Sequence, residues 1–151
     1  MIKVLFVCLG NICRSPMAEF LLKHKVKGKI DNILIGSAGT SGCEAGSDMH
    51  NGSKRELRRN GIEFERHCAR KINISDYDKY DYILYMDRSN LSSLERIFSH
   101  DNENKLYSLM SFAGLDSDVA DPWYTGDFEK TFSDIDMALD GFINYISKKE
   151  Q

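Results

Sequence analysis

The sequence predicts an α/β fold built on a parallel sheet. Three observations carry the prediction: an apolar, β-branched run at the N-terminus, strand-like and helix-like segments alternating after it, and a long apolar stripe at helical spacing near the C-terminus. At 151 residues the chain fits a single domain, 1–151, large enough for a core without disulfide or metal staples.

Residues 2–7 (IKVLFV) form a β-branched and aromatic run broken only by Lys3, the mark of a parallel strand buried on both faces. Ser15 then reads as an N-cap and Pro16 as the first helical residue, with a helix over 17–25. A second strand is expected over 32–35, followed by a Gly/Ser-rich loop over 36–51, long enough to suggest function. Residues 53–60 read as a short helix closed by Gly61. A third strand over 82–86, a helix to about 99 and a fourth strand over 105–109 follow. Phe128, Phe132, Ile135, Leu139, Phe142 and Ile146 recur every three or four residues, one stripe of a helix that faces the core. Strand–helix alternation of this kind folds with right-handed crossovers.

Composition excludes several function classes. A net charge of −3 argues against a general binder of nucleic acid or membrane surfaces. No apolar run approaches the ~18–20 residues of a membrane span. The N-terminal run is short and reaches Asn11 and Arg14 without a cleavage signature, so it reads as a strand and not a secretion signal. Cys8, Cys13, Cys43 and Cys68 lack zinc-ligand spacing and read as free thiols of a reducing cytoplasm. Charge is uneven: residues 54–71 carry seven Lys/Arg against three Glu, and residues 116–140 carry eight acids against one lysine. The simplest reading is two solvated faces. His24, His50, His67 and His100 read as exposed polar residues.

The stretch FVCLGNICRSP concentrates the chemistry. Cys8 falls at the carboxyl end of the first strand and at the mouth of the first helix, where open α/β sheets hold ligands. A loop there turns several main-chain N–H groups toward one point, and the helix dipole adds positive potential. Gly10 permits a tight path, and Asn11 tolerates a left-handed backbone. Arg14 offers a planar fork to two phosphate oxygens. The same field favours the thiolate of Cys8, the nucleophilic form, and Ser15 can donate a hydrogen bond to that sulfur. A bare C-x5-R-[ST] occurs by chance in roughly one such chain in forty, so the preceding strand and the following Ser-Pro make the signal. Further along, Asp121-Pro122 followed by Trp123 and Tyr124 reads as an acid beside an aromatic wall.

Val7 to Pro16 resembles the active-site loop of the low-molecular-weight protein tyrosine phosphatases. The likeness extends over Gly36-Ser37-Ala38-Gly39, Asp81-Tyr82-Ile83-Leu84 with Met86-Asp87, and Ala120-Asp121-Pro122-Trp123-Tyr124. It implies a three-layer sandwich around a four-stranded parallel sheet, with the phosphate-binding loop between the first strand and first helix. It also implies hydrolysis of phosphotyrosine and small aryl phosphates through a cysteinyl-phosphate. Cys8, Arg14 and Asp121 would be catalytic; Leu9, Gly10, Asn11, Ile12, Cys13, Ser15, Trp123 and Tyr124 would bind phosphate and ring. Ser37 and Asp87 would support them, Ser37 by hydrogen-bonding to Asn11, and Arg70 is a further match. Cys13 would be able to form a reversible disulfide with Cys8. Substrates would be phosphotyrosine proteins, inhibitors phosphate and vanadate, and no metal or organic cofactor is implied. Cys43 stands where many relatives carry Trp or Tyr, which makes one pocket wall smaller.

Rival readings use similar parts. Protein arginine phosphatases share the loop but carry Thr where Ile12 stands, and Ile12 favours a phenyl ring. Arsenate reductases need two further cysteines downstream, and residues 82–95 contain none. A cysteine phosphocarrier would need neither Arg14 nor Asp121. A non-catalytic phosphotyrosine-binding module would not need Cys8, Arg14 and Asp121 together.

Overall fold

The computed structural model describes residues 1–149. Its four strands are β1 (Ile2–Cys8), β2 (Ile33–Gly39), β3 (Tyr82–Tyr85) and β4 (Leu106–Ser108). All pairings are parallel, in the order β2-β1-β3-β4. The longer helices are α1 (Arg14–Val26), α2 (Asn51–Arg59), α4 (Arg88–Phe98) and α6 (Phe128–Lys149); α3 (Asp76–Lys79) and α5 (Pro122–Thr125) are single turns.

Alternation along β1 explains the layers. Val4, Phe6 and Cys8 face a core shared with Met17 and Leu21 of α1 and with Ile135, Leu139 and Phe142 of α6. Leu5 and Val7 face the opposite core, with Leu94 and Phe98 of α4. A central strand buried on both faces needs no polar positions, which is why its sequence is apolar throughout the buried part, Val4 to Cys8. The apolar stripe of α6 is core over Phe132 to Ile146, whereas Phe128 is only partly buried. Among the described residues, no helix is long and apolar enough to cross a membrane.

Two of the boundaries that differ from the sequence reading bear on the phosphate loop. Helix α1 begins at Arg14 with Cys13 at the N-cap and no side-chain cap. Ser15 is therefore inside the helix, and its hydroxyl bonds to Cys8 and Asn11 instead. Strand β2 continues through Gly36-Ser37-Ala38-Gly39, each paired with β1 from Leu5 to Cys8. These residues have weak intrinsic strand preference, and the pairing partner overrides it. Gly39 is required there: a Cβ would lie 2.7 Å from the carbonyl oxygen of Leu9. The phosphate loop thus folds directly over the end of β2, with Thr40 N and Ser41 N donating to the carbonyls of Cys8 and Leu9.

Candidate active site

Cys8 closes β1 on the floor of a pocket of about 220 Å³. Leu9, Gly10, Ile12, Cys13 and Arg14 curve around it, and Asp121, Trp123 and Tyr124 face it from the far side. Two sequence segments more than a hundred residues apart therefore meet at one sulfur. Asn11, Ser15, Ser37 and Asp87 stand behind this lining and hold it.

Asn11 is the residue that shapes the loop. Its φ of 59° is left-handed, while Gly10 stays in ordinary backbone space. Left-handed backbone costs a non-glycine residue ~1–2 kcal/mol, and four hydrogen bonds hold it there. Asn11 Nδ2 donates to Ser15 Oγ at 2.9 Å and to Ser37 Oγ at 3.0 Å. Asn11 Oδ1 accepts from Arg70 N at 3.0 Å, and its carbonyl oxygen accepts from His67 Nε2 at 2.7 Å. Ser37 Oγ in turn donates to Glu19 Oε1 at 2.6 Å. Because Ser15 Oγ accepts from Asn11, its own proton is free to point at Cys8 Sγ, 3.0 Å away.

Arg14 is 2% exposed and stays charged. Burial alone would weaken the cation, but the charges of Cys8, Asp87 and Asp121 outweigh it and raise its pKa. Nη1 donates to Asp87 Oδ2 and to the Val119 carbonyl, both at 2.8 Å, and Nη2 lies 3.5 Å from Asp121 Oδ2. Asp87 is fixed by a capping box with Asn90 at the start of α4. Asp121 caps α5 by accepting from Trp123 N at 3.0 Å, and Pro122 supplies the first helical residue.

Cys13 differs sharply from a reactive thiol. Burial, then the proximity of Cys8 and Asp121, pushes its pKa up to about 12. Cys8 and Cys13 are both free thiols here, as are the exposed Cys43 and Cys68. Cys43 also lines the pocket. Among the described residues, no group of three His, Cys, Asp or Glu side chains could hold a metal ion.

Two histidines depart from their reading as exposed polar residues. His67 is 7% exposed and braces Asn11. The backbone N–H of His67 donates to Asp48, whose carboxyl is held well below the usual range, chiefly by Lys54 and then by that N–H. His50 caps α2 by accepting from Gly52 N at 2.9 Å. Neither sits in a motif, and only the fold brings them to the loop. Glu19, one turn beyond Ser15 on α1, is the third support that the sequence did not signal. His24 and His100 are exposed.

The sequence model of the low molecular weight phosphotyrosine protein phosphatase family matches residues 3–151. The chain belongs to that family. Among curated members of it, the chain is similar to the low molecular weight protein-tyrosine-phosphatase YfkJ of Bacillus subtilis, 40% identical over 100% of this chain and 99% of the relative. It is also similar to PtpA of Staphylococcus epidermidis, 37% identical over 98% and 96% of the two chains. The YfkJ crystal structure superposes with a TM-score of 0.94 over 100% of this chain and 98% of that one. A drosophila arginine phosphatase superposes at 0.88 with 32% identity, covering 96% and 98%. A structural neighbour of this chain thus carries a different named substrate, which makes the pocket lining decisive.

Proposed function

We propose that this phosphatase hydrolyses phosphotyrosine in proteins, and small aryl phosphates, through a phosphoryl group carried on Cys8. The observation that carries the reading is the meeting of Cys8, Arg14 and Asp121 around one pocket, with an aromatic side wall.

In the first step Cys8 Sγ attacks phosphorus as the P–O bond to the phenol breaks. Main-chain N–H groups of the loop and the Arg14 fork take up the charge spreading over the equatorial oxygens. Asp121 hands its proton to the departing phenolate. In the second step a water oxygen attacks phosphorus, the S–P bond breaks, and Asp121 takes the water's proton. The Ser15 hydroxyl stabilises the sulfur as it leaves. Inorganic phosphate and vanadate, which fit the same cradle, inhibit.

Ile12 and Trp123 offer the bound group apolar surface, which suits a phenyl ring. A phosphoarginine guanidinium would lose its hydration against Ile12 and gain no hydroxyl in return. Parallel hydrolysis of phosphotyrosine, phosphoserine and phosphoarginine peptides tests this. Phosphotyrosine turnover well above the other two is expected; preference for phosphoarginine overturns the substrate assignment.

A further inference from the structure

We propose that His50 is a positioning residue that sets the Trp123 wall of the substrate slot and ties it to the phosphate loop. The inference rests on the reading of Trp123 as a wall of that slot.

Trp123 is 61% exposed, and it sits in a single helical turn that ends at Gly126. So exposed a side chain on so short an element has little of its own to hold it. Among the described residues, the ring packed against it is His50, edge-on at 5.9 Å and 82°. His50 also stacks on Phe128, at 4.9 Å and 19°. Phe128 is itself fixed, because it lies so close to the first turn of α2 that a Cβ on Gly52 would come within 2.5 Å of its ring. His50 thus touches both Phe128 and the wall.

The backbone of the same residue reaches the other half of the site. His50 N donates to the Ile12 carbonyl at 2.8 Å, within the phosphate loop. Through one residue, the loop that holds the phosphate and the segment that carries Asp121 and Trp123 share a common reference. An edge-to-face pair biases a two-position side chain by roughly 2- to 10-fold, so this is the size of effect to expect on aryl-phosphate binding.

A helix cap alone would explain the Gly52 contact, so the test separates cap from ring. Asparagine caps as well as histidine but has no ring; phenylalanine keeps the ring but cannot accept from Gly52 N. For His50→Asn the expected result is a melting temperature lowered by no more than ~2–4 °C through the lost ring contacts, an aryl-phosphate KM raised about 2- to 10-fold, and the parent inhibition constant for inorganic phosphate. Trp123 is the single tryptophan, so acrylamide quenching of its emission reports the wall directly and rises in His50→Asn. For His50→Phe the melting temperature falls by ~2–4 °C while KM and quenching stay near the parent's. Parent-like KM and quenching in His50→Asn, or a loss of both in His50→Phe, overturns the proposal. Trp123→Ala distinguishes the two layers: a raised KM there with a parent-like His50→Asn removes His50 alone, whereas a parent-like KM in Trp123→Ala removes the wall reading and this role with it.

Discussion

Arg14 hangs on Asp87: the guanidinium Nη1 donates to Oδ2 at 2.8 Å, with Arg14 almost fully buried and Asp87 anchored at the start of α4. A planar fork recognises phosphate only if its orientation is fixed beforehand, so the carboxylate that aims it matters as much as the charge itself.

Asp87→Asn separates aim from helix capping, since asparagine caps as well as aspartate. Inhibition by vanadate is expected to weaken by roughly tenfold, with little change in melting temperature. Asp87→Ala loses the helix cap and the 2.8 Å carboxylate together and costs ~2–4 kcal/mol, because the buried cation keeps only the longer contact to Asp121 and the Val119 carbonyl. Thermal melts and inhibition constants of the two variants check both statements.

Asn11 tests whether the left-handed turn or its side-chain bonds shape the loop. Asn11→Gly relieves the backbone strain at φ 59° but removes the bonds to Ser15, Ser37 and Arg70. A loss of about ten- to a hundredfold in kcat/KM is expected despite the easier backbone. His67→Ala, which leaves the Asn11 carbonyl without its partner, destabilises by ~1–3 kcal/mol. Parent-like activity in Asn11→Gly removes the side chain from the account.

Asp121→Asn separates proton delivery from position, because asparagine retains the α5 cap. Loss of kcat is expected to be greatest for poor leaving groups, on the order of 10²- to 10⁴-fold, and small for activated phenols that leave without a proton. An equal loss across a series of substituted phenyl phosphates contradicts the role.

Cys13 links the site to alkaline stability. Its thiol rises from an ordinary 9.0 to about 12, so the folded state resists deprotonation that the unfolded chain accepts. A raised acid pKa supplies stability in full below pH 9 and loses it progressively as pH climbs from 9 toward 12. Cys13→Ser, which cannot titrate there, is expected to show a flatter decline of urea midpoint over that window. At neutral pH Cys13 stays a thiol and resists alkylating reagents.

Much of this was legible because the chemistry is local. Cys8, Gly10, Arg14 and Pro16 lie in one continuous stretch, and Asp121 to Tyr124 in another. What stayed hidden depends on through-space pairing. Ser15 looks like a cap because it precedes proline, yet Cys8 and Asn11 claim its hydroxyl. The sequence 36–39 looks like a loop because Gly and Ser resist strands, yet β1 provides every partner. His50 and His67 carry no spacing signal, since each meets the loop across more than thirty residues of chain.

The central claim is a phosphoryl group bonded to one sulfur. Rapid acid quench of the Asp121→Asn variant during aryl-phosphate turnover, followed by peptide mass analysis, tests it most directly. The account predicts a phosphoryl mass on the peptide containing Cys8, absent when Cys8→Ser is added. Steady turnover with no adduct on Cys8 at any quench time, or an adduct that survives Cys8→Ser, contradicts it.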